Sequence, residues 1–333
     1  MNIELFKHIY FRLPILVRLF LTILLVMLFF GTVIHFIEPK QFPTIFDGIW
    51  WAVVTGATVG YGDYVPLTLL GRIIGIVLIL TGGGLLTFYI TQFAATTVQH
   101  ESDLSRGKIA YKGNHHIIII GWNERSRIMM NRILKHDPKK EIVLIDQTVS
   151  QMSYRDFPIH FIHGDPTDDY FLQKANIKEA EKVVITADDH KSEKQADNQS
   201  ILTVVAVRGN HDKVPIIVEI MTDNQIDNAK RAGASTILRP NDFMSALLYQ
   251  EVFKGHSKPF ETIIHFLDAQ QFHHNEVPEE WVGYPFHEII NPLQKNGRLL
   301  LGIQRDGEWI FNPQQELLLV KGDILITSIP WER

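Results

Sequence analysis

Two long stretches near the start of the chain lack the usual mixing of polar and apolar positions. Leu19 to Ile37 runs nineteen residues without Asp, Glu, Lys or Arg. At ~1.5 Å per residue, a helix over it reaches ~29 Å, close to a ~30 Å hydrocarbon core. It is too long for a cleaved leader and has no small-residue cleavage site before Glu38. Residues 1–18 interleave Lys7, Arg12 and Arg18 with Ile3, Phe6, Ile9, Tyr10 and Leu13. That is the pattern of a short interfacial helix, which Pro14 would interrupt. Ile73 to His100 gives 28 more residues without a formal charge, enough for a second spanning helix that continues past the bilayer. Between the two, Glu38 to Thr44 reads as a turret, and Ile45 to Ala57 as a short helix entering the membrane only partway. Non-helical backbone at that depth is tolerable only where it lines a cavity. The triplet Gly82-Gly83-Gly84 is expected to break the second span, because each glycine weakens a helix by about 1 kcal/mol relative to alanine. That makes it a candidate hinge; close packing through small residues is the alternative.

Beyond His100 the periodicity changes. Val98 to Gly113 is polar and carries Arg106, Gly107, Lys108 and Gly113, as a linker does. Short apolar runs follow at Ile117–Ile120, Glu141–Ile145, Ile159–Ile162, Val183–Ile185 and Ile216–Glu219, separated by helical patterns. Such alternation predicts a parallel, doubly wound sheet. Asn241 to Lys258 reads as a crossover helix, with Phe243, Leu247, Leu248 and Val252 apolar. Strands are then expected at Thr262–Leu267, Leu299–Gln304 and Ile324–Ser328, with Lys321-Gly322-Asp323 as the turn before the last. The expected division is a membrane segment over 1–97, a linker over 98–113, a Rossmann-like domain over 114–240, a crossover helix over 241–258 and a small α+β subdomain over 259–333.

Charge sharpens that division. The first 97 residues hold Lys7, Arg12, Arg18, Lys40 and Arg72 against Glu4, Glu38, Asp47 and Asp63, net +1. The remainder carries 27 of the 32 basic and 33 of the 37 acidic residues, net −6. An acidic soluble part argues against nucleic acid as a partner. The chain has no cysteine, which excludes disulfides and thiolate metal sites.

The stretch Thr58-Val59-Gly60-Tyr61-Gly62-Asp63 follows the short helix, and its first five residues match the selectivity-filter motif of potassium channels. Its alternative reading is a glycine-rich turn after a buried helix. An ion entering such a pore gives up its water to a ring of backbone carbonyls. Gly60 and Gly62 permit the positive φ that aligned carbonyls require. Trp50 and Trp51 are placed to brace this stretch, and Trp51 is expected to bond Asp63; interfacial anchoring is their alternative role. Outer helix, pore helix, filter and glycine-containing inner helix together resemble the two-transmembrane potassium channels. That resemblance implies a homotetramer in the cytoplasmic membrane, K+ in the filter and no enzymatic activity. With two crossings both termini share a side, which the basic N-terminal flank makes cytoplasmic. No arginine-repeat segment precedes the pore, so voltage sensing of that kind is not expected. Two departures stand out. Where some filters place a glutamate to pair with the aspartate after GYG, this chain has Val54, so Asp63 should stay ionised. Where the calcium-gated archaeal relative has glutamates near the inner mouth, this chain has Thr91 and Ala95, which predicts lower conductance.

The turn after the first strand of the soluble part reads Gly121-Trp122-Asn123-Glu124-Arg125-Ser126. A dinucleotide fingerprint requires glycine at 121, 123 and 126, and only Gly121 is present. Asp146 stands 25 residues later, near where an acid grips a ribose. A nucleotide site (Gly121, Asn123, Glu124, Asp146, Asp165, Thr186) and an empty structural unit both remain open. The strand-GW turn, His163-Gly164-Asp165-Pro166-Thr167 and Arg231-Ala232-Gly233-Ala234 resemble the regulator-of-potassium-conductance (RCK) domain over about 115–240. The resemblance implies a gating ring driven by a small ligand: ATP, ADP, NAD, a cyclic dinucleotide, a cation or protons. The relative's calcium-site positions read Thr186, Glu219 and Met221 here, one acid of three. Asp189, Glu193 and Asp197 are expected to form a helical stripe, which with Glu219 offers a second cation candidate; a solvated helix face is the alternative. His265, His273, His274 and His287 are scattered in the C-terminal part and could serve metal binding or acid sensing. Two other classes compete. A membrane-tethered oxidoreductase leaves the filter motif unexplained and lacks a catalytic acid–base pair. A transporter's regulatory subunit leaves the first 97 residues unexplained.

Overall fold

The computed structural model describes residues 13–153, 157–253, 259–314 and 316–331. Most of the expected interfacial helix, and the end of the expected crossover helix at Lys258, lie outside them. The chain divides into two compact units, residues 1–110 with 149–163, and residues 111–148 with 164–331 of the described chain.

In the first unit, Pro14 stands at the N-cap of a helix over Ile15–Ile37. Proline lacks an N–H and is tolerated at a helix start, where none is needed. The short helix spans Ile45–Gly56 and starts with a capping box: the Thr44 hydroxyl accepts from the Asp47 amide, and Asp47 accepts from the Thr44 amide. The long helix spans Leu69–Ser105 without interruption. The glycine triplet therefore does not break it, because intrahelical bonds persist wherever no side chain or proline displaces them. At Gly82 the absence of a side chain serves packing: a Cβ there would lie 3.1 Å from Met27 Cε and 3.4 Å from Gly56 Cα. Gly83 and Gly84 face open space. Met27, Ile34, Phe42, Trp51, Ala52 and Leu78 form the buried core of this bundle. Helix continues to Ser105, so the expected linker is shorter than its composition suggests.

The parallel sheet has the strand order β3-β2-β1-β4-β5-β6. Its strands are β1 (His116–Ile120), β2 (Ile142–Asp146), β3 (His160–His163), β4 (Ala180–Ile185), β5 (Ile216–Glu219) and β6 (Thr236–Leu238). This is the order of a classical dinucleotide-binding sheet, in which the reversal between β1 and β4 opens a crevice at the strand ends. Ile118, Ile119, Val143, Leu144, Ile145 and Val183 are fully buried, as expected of strands covered on both faces.

The C-terminal part holds an antiparallel sheet in the order β7-β10-β8-β9, with β7 Gln270–Glu276, β8 Leu299–Arg305, β9 Glu308–Phe311 and β10 Ile324–Pro330. The strand expected at Thr262–Leu267 is instead a helix, Pro259–Ala269. Its β-branched Thr262-Ile263-Ile264 run suggests a strand, but Phe260, Ile263, Ile264 and Leu267 repeat with helical spacing, and that period wins. The strand β7, which is mostly polar, carries no such signal. Gly322 takes φ +96° in the turn before β10, as its sequence implies.

Candidate functional site

Two glycine-containing turns carry the candidate chemistry. The first follows the short helix. The amides of Val59 and Gly60 both donate to Val54 O, at 3.0 and 3.2 Å. Thr58, Gly60 and Gly62 take φ +59°, +61° and +79°. With those amides turned back to the helix end, the carbonyls of Thr58–Gly62 accept no hydrogen bond among the described residues. A single protomer leaves this stretch bare: Val59 is 55% and Tyr61 69% exposed. The brace comes from a different tryptophan than expected. Trp50 Nε1 donates to Asp63 Oδ2 at 2.8 Å, and its ring stacks on Tyr61 with centroids 6.1 Å apart. Trp51 is buried in the bundle core against Phe42. One position decides the difference, since residues 50 and 51 face about 100° apart on a helix.

Three further ties fix this region, and none was read from the sequence. Tyr64 Oη donates to Asp47 at 2.9 Å, and His35 Nδ1 donates to Phe42 O at 2.7 Å. Glu38 is buried and accepts from Leu67 N, Thr68 N and the Thr68 hydroxyl at 2.6–3.0 Å. It thereby joins the first helix to the start of the long one. The charged residue that ends the first apolar run was the available signal.

The second turn lies in the crevice between β1 and β4. The crevice is lined by Gly121, Asn123, Asp146, Thr148, Thr186, Lys191 and, from the helix Glu193–Asn210, Gln199, Ser200 and Thr203. Gly121 has φ +96°, and a Cβ there would meet Thr186 Oγ1 at 2.7 Å. Here the polar groups bond one another. Asn123 caps the helix Glu124–His136 by accepting from Ser126 N, and its Nδ2 donates to Ala187 O. Asp146 Oδ2 accepts from Trp122 N at 2.7 Å, and Oδ1 accepts from the Thr148 amide and hydroxyl. Asp188 sits at the rim. Burial works against its ionisation, but the His190 amide and the Lys191 ammonium hold it below the ordinary carboxylate range.

The structure thus brings together Gly121, Asn123, Asp146 and Thr186, but not the other two proposed nucleotide residues. Glu124 pairs with Arg127, and Asp165 accepts from the amide and hydroxyl of Thr167. Lys191, Ser200 and Thr203 were missed; a Ser and a Thr three residues apart on a helix near the strand ends were the signal available.

The cation candidates do not converge. Asp189 precedes the helix that begins at Glu193, so no stripe forms, and Asp197 is fully buried, accepting from Met221 N, Thr222 N and the Thr222 hydroxyl. Glu219 and Asp189 both hold Arg125, at 3.0 and 2.9 Å, while Glu193 accepts from Asn241. A guanidinium already fills the position between the two acids. Among the described residues no group of three or more His, Asp or Glu could hold a metal ion.

Comparison with known proteins agrees with this layout. Residues 22–99 match the ion-channel family model, and residues 117–240 match the TrkA-N domain. The chain is 41% identical over 296 residues to the putative potassium channel protein YugO of Bacillus subtilis, covering 88% of this chain and 90% of that one. It is 27% identical over 245 residues to the calcium-gated potassium channel TvoK of Thermoplasma volcanium, covering 71% and 69%. The solved GsuK channel bound to NAD has the same fold, with a TM-score of 0.51 at 16% identity over 94% of this chain, which spans 57% of that chain. The chain belongs to the family of potassium channels that join an ion-channel segment to a TrkA-N domain.

Proposed function

We propose that four copies of this chain assemble around one axis in the cytoplasmic membrane and that K+ crosses through the ring formed by Thr58–Gly62. The observation that carries this reading is the pair of amides bonded to Val54 O, which leaves the carbonyls of the following residues without protein partners. Carbonyl oxygens contributed by four chains can replace the water of a K+ ion without adding formal charge. The partial negative charge at the C-terminal end of Ile45–Gly56 favours a cation there. The Trp50–Asp63 bond and the Glu38 clamp hold this stretch from behind. Both termini lie in the cytoplasm, and the chain performs no covalent chemistry. Thr91 and Ala95 leave the inner mouth without a ring of acid, so conductance is low for this family.

The crevice at the β1–β4 reversal is the regulatory site, and a nucleotide such as NAD or ADP is its ligand. Its position at the switch point of the sheet supports this, as does the NAD in the GsuK structure of the same fold. A divalent cation fits less well, because Arg125 occupies the gap between Glu219 and Asp189. The ligand gates by binding one arrangement of a cytosolic ring more tightly than the other. Purified protein in liposomes tests both parts. Barium-blockable 86Rb+ uptake that changes when NAD or ADP is added is the expected result. No uptake in any condition would refute the pore, and uptake indifferent to both nucleotides would refute the regulatory site.

A further inference from the structure

We propose that Gly107 and His160 are positioning residues for gating, holding the end of the inner helix against the residue 149–163 segment so that the crevice acts on the pore without slack. The proposal rests on the reading of the crevice as a nucleotide site. The chain after Ser105, where the long helix ends, is not a loose tether. Met152 N donates to Ser105 O at 2.8 Å, His163 N donates to Gly107 O at 3.2 Å, and His160 Nε2 donates to Ile109 O at 2.8 Å. His163 Nδ1 donates to Val149 O at 2.7 Å and closes the segment on itself. Every second residue from 105 to 109 is therefore held through its carbonyl.

Gly107 makes this approach possible. It takes φ +64°, and a Cβ there would lie 2.2 Å from His163 N, far inside any tolerated contact. A side chain at 107 must drive the two backbones apart, and in this conformation it is strained as well. The next amide along leads to the crevice. Gly164 N donates to Asp146 O at 3.0 Å, and the Asp146 carboxylate lines the crevice. Consecutive amides, at 163 and 164, thus bond the connector and the crevice acid. A ligand that shifts Asp146 moves the Gly164 amide, and the adjoining His163 amide moves Gly107, two residues past the inner helix.

The test measures 86Rb+ uptake by the full channel in liposomes with ADP, with NAD and with neither, and measures binding of the same nucleotides by calorimetry on the full channel in nanodiscs. The variants are Gly107→Ala, His160→Leu and His160→Gln; glutamine keeps an N–H donor for Ile109 O. The unaltered channel is expected to change its uptake at least about fivefold with one nucleotide, the lower end of usual allosteric coupling. Gly107→Ala and His160→Leu should bring that ratio close to one while nucleotide affinity stays within about twofold, and His160→Gln should keep most of the response. His160→Leu carries the test should Gly107→Ala fail to fold. Retention of the full response in His160→Leu, or nucleotide binding to the unaltered channel without any change in uptake, would overturn the proposal. If neither nucleotide binds, the crevice reading fails by itself, and ligand-free uptake decides the clamp. A severalfold change in His160→Leu that His160→Gln restores sustains it, and unchanged uptake in both overturns it.

Discussion

The two glycine turns solve opposite problems with the same backbone conformation. In the first turn Gly60 and Gly62 take positive φ, and the Val59 and Gly60 amides bond Val54 O. The row of carbonyls that follows has no partner among the described residues and is exposed in the single protomer. At Gly121 positive φ brings the chain against Thr186, and side chains from Asn123, Asp146 and Thr148 satisfy the surrounding groups. Unsatisfied backbone polar groups away from water cost free energy. On the proposed reading the first turn is complete only when further copies and an ion are present, whereas the second is complete alone. A ligand entering the crevice must fit around bonds already made, so its binding energy is partly offset by their rearrangement. On the proposed reading, occupancy of the crevice changes structure, whereas the Thr58–Gly62 stretch must hold its structure to work.

This contrast can be broken by substitution. Gly62→Ala puts a Cβ at φ +79° in each of four protomers, where an L-residue costs about 1–2 kcal/mol apiece. K+ uptake should fall by more than about 100-fold with assembly intact by gel filtration, since about 3 kcal/mol is enough for that factor. Gly121→Ala combines φ +96° with the 2.7 Å approach to Thr186 Oγ1. Nucleotide affinity should drop about tenfold, as expected for about 1.4 kcal/mol of strain, while ligand-free uptake changes little. A pore lost through Gly121→Ala and spared by Gly62→Ala would invert the comparison.

Smaller effects sharpen it. Trp50→Phe removes the bond to Asp63 and keeps the ring on Tyr61, so sustained current should decay a few times faster in patches, an outcome Trp51→Phe should not share. Gly84→Ala faces open space and should raise helix stability by about 1 kcal/mol, measured as a higher melting temperature. Gly82→Leu should instead destabilise the bundle, because its side chain would meet Met27 and Gly56. If Gly84→Ala also reduces the open fraction, the triplet bends during gating even though the helix runs through it unbroken here. The smallest expected effect is that of pH on the crevice. Asp188 is held below its ordinary value, so its stabilising contribution is complete above the unfolded carboxylate range and is lost only as pH falls below about 4. Between pH 6 and 8 that contribution is constant, so Asp188 should add no pH dependence to melting temperature or nucleotide affinity there.

Legibility followed how local the determinant was. Both spans were readable to within about five residues at each end, and the short helix and four of the first five parallel strands to within about two, because burial on all sides writes long apolar runs. β4 starts three residues earlier than its apolar core, in the mixed stretch Ala180-Glu181-Lys182. Positive φ at Gly60 and Gly62 was readable from the motif. What failed depended on partners distant in sequence. Trp50 rather than Trp51 faces Asp63 because of how Ile45–Gly56 docks on the first helix, and Arg125 meets Glu219 across 94 residues. The helix Pro259–Ala269 was misread from β-branched residues, and β7 and β9 were missed because most of each is exposed and carries polar or aromatic side chains rather than an apolar run. Nothing local marks Gly107 as a contact, since a glycine in a polar stretch looks like a linker.

The central claim concerns selectivity at the row of unpartnered carbonyls, and a reversal potential reads it most directly. Channels reconstituted in a planar bilayer, with mostly K+ on one side and mostly Na+ with a little K+ on the other, should reverse close to the K+ equilibrium potential and be blocked by barium. A reversal potential near zero, with currents carried equally by both ions, would contradict the account.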